Sequence, residues 1–204
     1  MRVAIVGGPG IGKSTLVRQL GDLYHHGSYG EGEKGVWDPR VLQDIEEGRN
    51  PVGVTAYFAA LYDANYRDAE CDNEHDKVIF FEGARITLEA HIAEYPPEVH
   101  DALRAVAATG DAWHPDRVIV LTSSTDTIEK HIKLRNRAYE NIENMIRRFR
   151  LIDEEFRRLA PRFPNTIVIN RDGLEFHERA GLMHIIQVAN LPPFQEIPYE
   201  RREP

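Results

Sequence analysis

Apolar residues along the chain alternate between two kinds of pattern. Short continuous apolar runs, typical of buried strands, are separated by longer stretches in which apolar residues recur every three or four positions. The runs predict strands at 2–6, 35–37, 77–82, 117–121 and 166–170. The longer stretches predict helices at about 13–24, 39–47, 53–70, 84–94, 97–108, 125–136, 141–160 and 174–188. Together they predict an α/β fold, with a five-stranded parallel sheet and helices on both faces.

Segments rich in turn residues separate the predicted elements. They lie at 25–35, 71–76, 109–116 and 160–165. We expect residues 1–189 to form a single domain. The proline-rich residues 190–204 form a tail, which either packs as an extended strap or frays.

Composition narrows the class of protein. A chain of 204 residues suits one domain of moderate size, and its lone cysteine, Cys71, excludes a disulfide framework and favours a reducing compartment. No apolar run approaches the roughly 20 residues of a membrane span, and the first strand begins too early for a signal peptide. We therefore expect a cytoplasmic protein. A formal net charge of −8 argues against nucleic-acid binding without excluding it.

The segment GGPGIGKST, between the first predicted strand and helix, fits the phosphate-loop pattern G-x-x-x-x-G-K-[ST]. Glycines let the backbone wrap closely around phosphates, where N–H groups and a helix N-terminus favour anions. Lys13 would reach the terminal phosphates of ATP, and the Ser14 hydroxyl would bind Mg²⁺. The alternative is a glycine-rich turn without a ligand. The predicted ATP-binding residues are Gly7, Gly8, Pro9, Gly10, Ile11, Gly12, Lys13, Ser14 and Thr15.

Two acidic residues end predicted strands on the same rim of the sheet as this loop. Glu82 could bind Mg²⁺ or a metal-bound water, or be an ordinary acidic strand end, and Arg85 could point at the same site. Asp38 could accept a proton from an attacking hydroxyl. Asp38 could equally cap the helix that begins at Pro39. The sequence leaves both interpretations of Asp38 open.

Two arginines lie between two predicted helices, in a segment at about 133–144. Arg135 and Arg137 are two residues apart, so they could converge on phosphates from a loop but would diverge on a continuous helix. A mobile lid carrying them would exclude water and stabilise the charge on the transferred group. The alternative is a solvated charged helix.

The order of these parts resembles that of deoxyribonucleoside kinases, which are close relatives of thymidylate kinases. The resemblance spans about 1–175 and is clearest over 116–159. It implies that Asp38 is the catalytic base, where the family usually has Glu. The family's strand-3 acid is directly followed by arginine, whereas EGAR here separates Glu82 from Arg85 by two residues. The resemblance also implies a homodimer formed through the helices near 53–70 and 84–108.

The acceptor site departs from the family pattern. The family carries a base-reading glutamine seven residues before an arginine, and counting back from Arg67 leads to Ala60. Trp37, Tyr57 and Tyr62 could sandwich a ring, although such a stripe is more often core. The predicted acceptor-binding residues are Trp37, Asp38, Tyr57 and Arg85, and the missing amide predicts a relaxed base preference or an unusual acceptor.

These features predict a kinase that transfers a phosphoryl group from ATP, with Mg²⁺, to a hydroxyl of a nucleoside. Its catalytic residues would be Lys13, Asp38, Arg85, Arg135 and Arg137, and its metal ligands Ser14 and Glu82. One alternative is a nucleoside monophosphate kinase, with Arg40, Arg67 and Arg85 clamping the acceptor phosphate. Others are a viral-type kinase acting on a hydroxymethylated base in DNA and a non-catalytic ATP-binding protein. The strand ends LTSS and INRD do not fit the base-recognition segment of a GTPase.

Overall fold

A computed structural model of the chain describes residues 1–25, 27–31, 38–71, 77–109, 115–135 and 141–194. Its strands are β1 (Arg2–Gly7), β2 (Ser28–Tyr29), β3 (Ile79–Glu82), β4 (Arg117–Thr122) and β5 (Thr166–Asn170). Its α-helices are α1 (Lys13–Tyr24), α2 (Pro39–Glu47), α3 (Pro51–Cys71), α4 (Arg85–His91), α5 (His100–Ala107), α6 (Thr125–Arg135), α7 (Ile142–Leu159) and α8 (Arg179–Val188). Short 3₁₀ segments lie at Ile92–Glu94, Pro97–Val99 and Ala160–Arg162.

The strands form one parallel sheet in the order β2-β3-β1-β4-β5. This confirms the predicted fold class. The central strand β1 pairs with β3 on one side and β4 on the other, so the segment that follows β1 emerges in the middle of the sheet. Ligands of open α/β sheets bind beyond the carboxyl ends of the strands, near such a point.

The strand that pairs with β3 lies before the predicted second strand. The predicted strand at 35–37 lies outside the described residues. The strand that pairs with β3 is Ser28–Tyr29, inside the segment predicted to be a turn. Two residues between glycines are too short to show a strand pattern, and only pairing with Phe80 and Phe81 makes them a strand.

Apolar side chains cover both faces of the sheet. On one face, β1 and β3 pack against α1 and α8, with Ile5, Leu20, Phe80 and Ile185 fully buried. On the other face, β1 and β4 pack against α4 and α7 through a second set of buried residues. A third cluster joins α3 and α5 to β3. None of the described helices is both long and apolar enough to cross a bilayer.

The beginning of the predicted tail packs against the domain. Leu191 is buried in the core beside α1, and the hydroxyl of Tyr24 donates to the carbonyl oxygen of Pro192 across 2.6 Å. The ring of Phe194 meets the ring of Tyr24 edge-on, with centroids 6.0 Å apart. These residues form a strap over α1, and residues 195–204 lie outside the described ranges.

Helix α7 packs directly on the loop after β1. A Cβ atom on Gly8 would lie 2.6 Å from Cδ2 of Phe149, so the ring of Phe149 touches the loop backbone itself. Phe149 is 1% exposed. The conformation of the loop therefore depends on a helix more than 130 residues away along the chain.

We expect Phe149→Ala to lower the free energy of unfolding by about 3–5 kcal/mol, because it leaves a cavity under the loop. Urea denaturation followed by circular dichroism measures the change. Leu151→Ala on the same helix is the control, since Leu151 is 37% exposed and should cost less than about 1 kcal/mol. Equal losses for the two variants would contradict this packing role.

Candidate functional site

The loop between β1 and α1 has the backbone geometry of an anion cradle. Gly10 and Gly12 have positive φ values of 80° and 95°, which glycine adopts without strain. Gly12 is the N-cap of α1 and makes no side-chain capping bond, so Lys13 begins the helix. The first N–H groups of α1 therefore face the position where phosphates would bind.

Lys13 and Ser14 face Glu82 at the end of β3. The hydroxyl of Ser14 donates to Oε1 of Glu82 across 2.9 Å, and Nζ of Lys13 lies 4.0 Å from the same oxygen. Nζ of Lys13 also donates to the carbonyl oxygen of Gly8 across 3.4 Å. The structure thus brings together three of the residues that the sequence analysis assigned to phosphate and metal, and their roles remain predictions.

The donor set at this point fits Mg²⁺. A hydroxyl and a carboxylate are hard oxygen ligands, and Mg²⁺ in kinases takes one or two carboxylates together with water and substrate phosphates. Within the described ranges no group of three or more His, Cys, Asp or Glu side chains could hold a metal ion. Ser14 and Glu82 would therefore supply only part of the coordination, and the remainder would come from nucleotide and water.

A second carboxylate, the partly buried Glu31, lies beside Glu82, and the sequence analysis missed it. The backbone N–H of Glu31 donates to Oε2 of Glu82 across 3.4 Å. The hydroxyl of Tyr62 donates to Oε1 of Glu31 across 2.5 Å. Burial and the charge of Glu82 raise the pKa of Glu31 to about 7, against the opposing effects of Lys13 and the Tyr62 bond. Glu31 comes two residues after β2, so correct placement of that strand would have identified it by the strand-end rule.

Asp38 occupies the N-cap of α2. Its Oδ1 accepts a hydrogen bond from the backbone N–H of Arg40 across 2.9 Å, and Pro39 is the first helical residue. Asp38 is exposed and is not among the described residues that line the cavity around Glu31. The geometry therefore supports the capping interpretation of Asp38.

Other predicted site residues do not reach this cavity in the described structure. Arg85 is 44% exposed and pairs with Glu89 one turn along α4. Tyr57 meets Phe58 edge-on but does not line the cavity. Ala60 is exposed, so the missing glutamine leaves no vacancy at the cavity wall.

The remaining predicted residues lie at the limits of the described ranges. Trp37 and Arg137 lie outside them. Arg135 is the last residue of α6, and nothing is described of its side chain. The helices on either side end at Arg135 and begin at Ile142, and residues 136–140 of the predicted lid lie outside the described ranges.

A buried arginine after β5 supports the phosphate loop from behind. Nη1 of Arg171 donates to the carbonyl oxygen of Ile11 across 2.7 Å, and Nη2 donates to the carbonyl oxygen of Leu174 across 3.2 Å. The guanidinium lies 4.6 Å from the centroid of Phe176. A Cβ on Gly12 would lie 2.9 Å from Nη1, so the loop passes as close as a glycine allows.

One large cavity of about 1330 Å³ is bordered by the phosphate loop, Glu31, Glu82 and Arg171. One end lies at the phosphate loop with Arg171, Phe176 and His131, and the other extends past Glu31 to apolar walls. These walls are formed by Leu42, Ile45, Val54, Phe58, Leu88 and Tyr95. Pockets for one small ligand usually occupy about 300–1,000 Å³, so this cavity can hold two substrates side by side.

An ion pair also lines the cavity. Arg148 of α7 donates through Nε to Oε1 of Glu94, and through Nη2 to Oε2 across 3.2 Å. Nδ1 of His91 lies 2.5 Å from Oε2 of Glu94. Burial alone would raise the pKa of Glu94, but His91 and Arg148 outweigh it and lower the pKa to about 2.

The sequence matches no protein-family model and no curated protein. Its structure, however, is similar to that of a deoxyadenosine kinase from M. mycoides with the products dCMP and a flexible dCDP bound. The TM-score is 0.70 at 18% identity, over 93% of this chain and 99% of that chain. Thymidylate kinase from Candida albicans is similar at a TM-score of 0.62 and 13% identity, over 93% and 92% of the two chains. The chain therefore has the fold of P-loop nucleoside and nucleotide kinases.

We expect the charge of Glu94 to stabilise the protein at neutral pH and this contribution to be lost in acid. Because the pKa is lower in the folded state, the contribution is complete above the usual value of 4.5 and disappears as the pH falls from there to about 2. Free energies of unfolding between pH 7 and pH 3 should fall more steeply for the wild type than for Glu94→Gln. Asp101→Asn, at a fully exposed side chain, should leave the wild-type slope unchanged.

Proposed function

We propose that this protein is a kinase that transfers the γ-phosphoryl group of ATP, with Mg²⁺, to a hydroxyl of a nucleoside-type acceptor. The observation that carries the proposal is the continuity of the cavity. It runs from the phosphate loop, past the buried carboxylate of Glu82 and the partly buried carboxylate of Glu31, into a chamber lined by both apolar and polar side chains. Donor phosphate, proton acceptor and acceptor chamber thus share one space, as phosphoryl transfer between two bound molecules requires.

The loop and Lys13 would hold the triphosphate. The acceptor oxygen then attacks the γ-phosphorus, and the bond from that phosphorus to the bridging oxygen breaks as the new P–O bond forms. ADP leaves with the electrons of the broken bond, and the hydroxyl proton passes to a carboxylate of the protein. Mg²⁺ held by Ser14 and Glu82 would neutralise charge on the phosphate oxygens.

Glu31 is the carboxylate best placed to take that proton. It lines the cavity, it lies against Glu82, and its orientation is held by Tyr62. Asp38 was the residue that the sequence suggested, but its carboxylate caps α2 and is exposed to solvent. We therefore assign the base to Glu31 and keep Asp38 as the alternative that the experiment below decides.

The charges in the acceptor chamber favour a nucleoside over a nucleoside monophosphate. A monophosphate needs cations to clamp its phosphate, but Arg67 pairs with Asp63 at the surface and Arg85 pairs with Glu89. Arg148 does line the chamber, but Glu94 already neutralises its charge. Of the described arginines that line the cavity, Arg148 is therefore paired with Glu94, and Arg171 donates to the carbonyl oxygens of Ile11 and Leu174 at the phosphate loop.

Further parts of the proposal rest on sequence. Arg135 and Arg137 would close over the transferred group from the segment between α6 and α7. The family resemblance favours a homodimer through α3, α4 and α5. A single cysteine fits a reducing compartment such as the cytoplasm, and a net charge of −8 disfavours nucleic acid as the acceptor.

The experiment that tests the function is transfer of label from γ-labelled ATP to a panel of nucleosides, nucleoside monophosphates and hydroxymethylated DNA. We expect magnesium-dependent label on nucleosides. Lys13→Ala should lower kcat by at least about 100-fold, because the lysine stabilises charge on the phosphates. Label only on monophosphates would establish the monophosphate kinase instead, and ATP binding without any transfer would leave a non-catalytic ATP-binding protein.

A matched pair of variants identifies the base. Glu31→Gln and Asp38→Asn each replace a carboxylate by an amide of the same shape, which cannot accept the proton. We expect Glu31→Gln to lower kcat by at least about 100-fold. Asp38→Asn should keep both activity and melting temperature, because asparagine caps helices nearly as well as aspartate. Loss of activity in Asp38→Asn, with activity kept in Glu31→Gln, would identify Asp38 as the catalytic base.

A further inference from the structure

Tyr62 of α3 reaches the proposed base from a fully buried position. Its side chain is 2% exposed, and its hydroxyl donates to Oε1 of Glu31 across 2.5 Å. Burial and the nearby carboxylates raise the pKa of Tyr62 well above its usual value of 10, so the hydroxyl remains a proton donor. A bond from a rigid buried ring to one carboxylate oxygen fixes the plane of the carboxylate, which a glutamate side chain cannot do by itself.

The ring of Tyr62 lies directly on the backbone at Gly83, the residue after Glu82. A Cβ at this position would lie 2.3 Å from Cε1 and Cζ of Tyr62 and 2.6 Å from its hydroxyl oxygen. Gly83 also has a positive φ of 95°. No side chain fits at residue 83 while Tyr62 holds Glu31. The position of the Tyr62 ring therefore requires glycine at residue 83.

This packing gives a physical reason for the sequence EGAR. The residue after the strand-end acid carries no side chain, because an aromatic ring from α3 occupies the space. The ring contributes a neutral hydroxyl to Glu31, and a charged side chain from residue 83 is excluded. The packing of Tyr62 thus excludes an arginine directly after Glu82.

We propose that Tyr62 is the positioning residue for Glu31. Residue 83 is glycine because the ring of Tyr62 occupies the space that a side chain there would need. This inference rests on the proposed function, since it assigns Tyr62 a part in aligning the proposed base. Tyr62 touches neither the nucleotide nor the reacting phosphorus in this scheme. Its effect should therefore appear in turnover and depend on Glu31.

The chain contains a matched control on the same helix. Tyr66 is 1% exposed, and its ring stacks on Phe81 with centroids 4.1 Å apart. Its hydroxyl is buried without a hydrogen-bond partner among the described residues. Tyr62→Phe and Tyr66→Phe thus remove the same atom from equally buried rings, and only the first loses a bond to a carboxylate.

The test measures kcat and KM for these two variants, for Glu31→Gln and for the double variant Tyr62→Phe/Glu31→Gln. We expect Tyr62→Phe to lower kcat by at least about 10-fold with the KM for ATP within about 2-fold, and Tyr66→Phe to match the wild type. In the Glu31→Gln background, Tyr62→Phe should change kcat by less than about 2-fold, because its effect passes through the missing carboxylate.

A second pair of variants tests the role of Gly83. This pair still tests the positioning role of Tyr62 if Tyr62→Phe folds poorly. Gly83→Ala should displace the ring and lower kcat by at least about 10-fold. Gly48→Ala is the control, because Gly48 also has a positive φ of 64° but nothing lies within 4 Å of its Cβ position. Gly48→Ala should therefore place a methyl group at a positive φ without a clash and without loss of turnover.

The outcomes separate the positioning role from the proposed function. Wild-type kcat in Tyr62→Phe, with Glu31→Gln inactive, overturns the positioning role and leaves Glu31 as the base. Equal losses from Tyr62→Phe with and without the Glu31 carboxylate also overturn it, because the tyrosine would then act independently. Full activity in Glu31→Gln overturns the assignment of the base and the positioning role together.

Discussion

The close approach of two distant elements to the backbone of the phosphate loop is the constraint on which the structure depends. Phe149 of α7 touches the loop at Gly8, and Arg171, after β5, touches it at Gly12. At both positions a methyl group would collide with the neighbouring element. The loop is therefore built against both, and elements from the second half of the chain fix the backbone N–H groups that would bind phosphate.

Parallel pairing explains why the other chemical groups meet at this loop. Glu82 ends β3, Glu31 follows β2, and Arg171 follows β5, so all three leave the sheet at the same edge as the loop. The helices close the sides of the resulting space. Tyr62 enters from α3, and Arg148 and Glu94 pair across the space from α7 and the 3₁₀ segment after α4.

The sequence predicted the parts of this structure that depend on local pattern. The phosphate loop has a fixed spacing, and the alternation of apolar runs and helical stripes is long enough to define the fold class. Strand β2 could not be predicted, because two residues acquire their conformation only by pairing with β3. The strand-end rule was therefore applied to a later segment, which directed the prediction of the base to Asp38 and not to Glu31, the residue that we propose. Tyr62 and Arg171 act through contacts across the fold that no short motif encodes.

The buried guanidinium of Arg171 has a consequence for how binding and turnover are divided. Arginine stays charged in proteins, and within the described part of the chain no carboxylate forms an ion pair with this one. The loop therefore carries a permanent positive charge behind its backbone, separate from the charge of Lys13, which faces Glu82. In the proposed function, Lys13 and Arg171 would share the binding of a polyphosphate, whereas only Lys13 would act in the transfer. A variant of this protein that has lost Lys13 would then keep part of its affinity and bind nucleotide without turning it over.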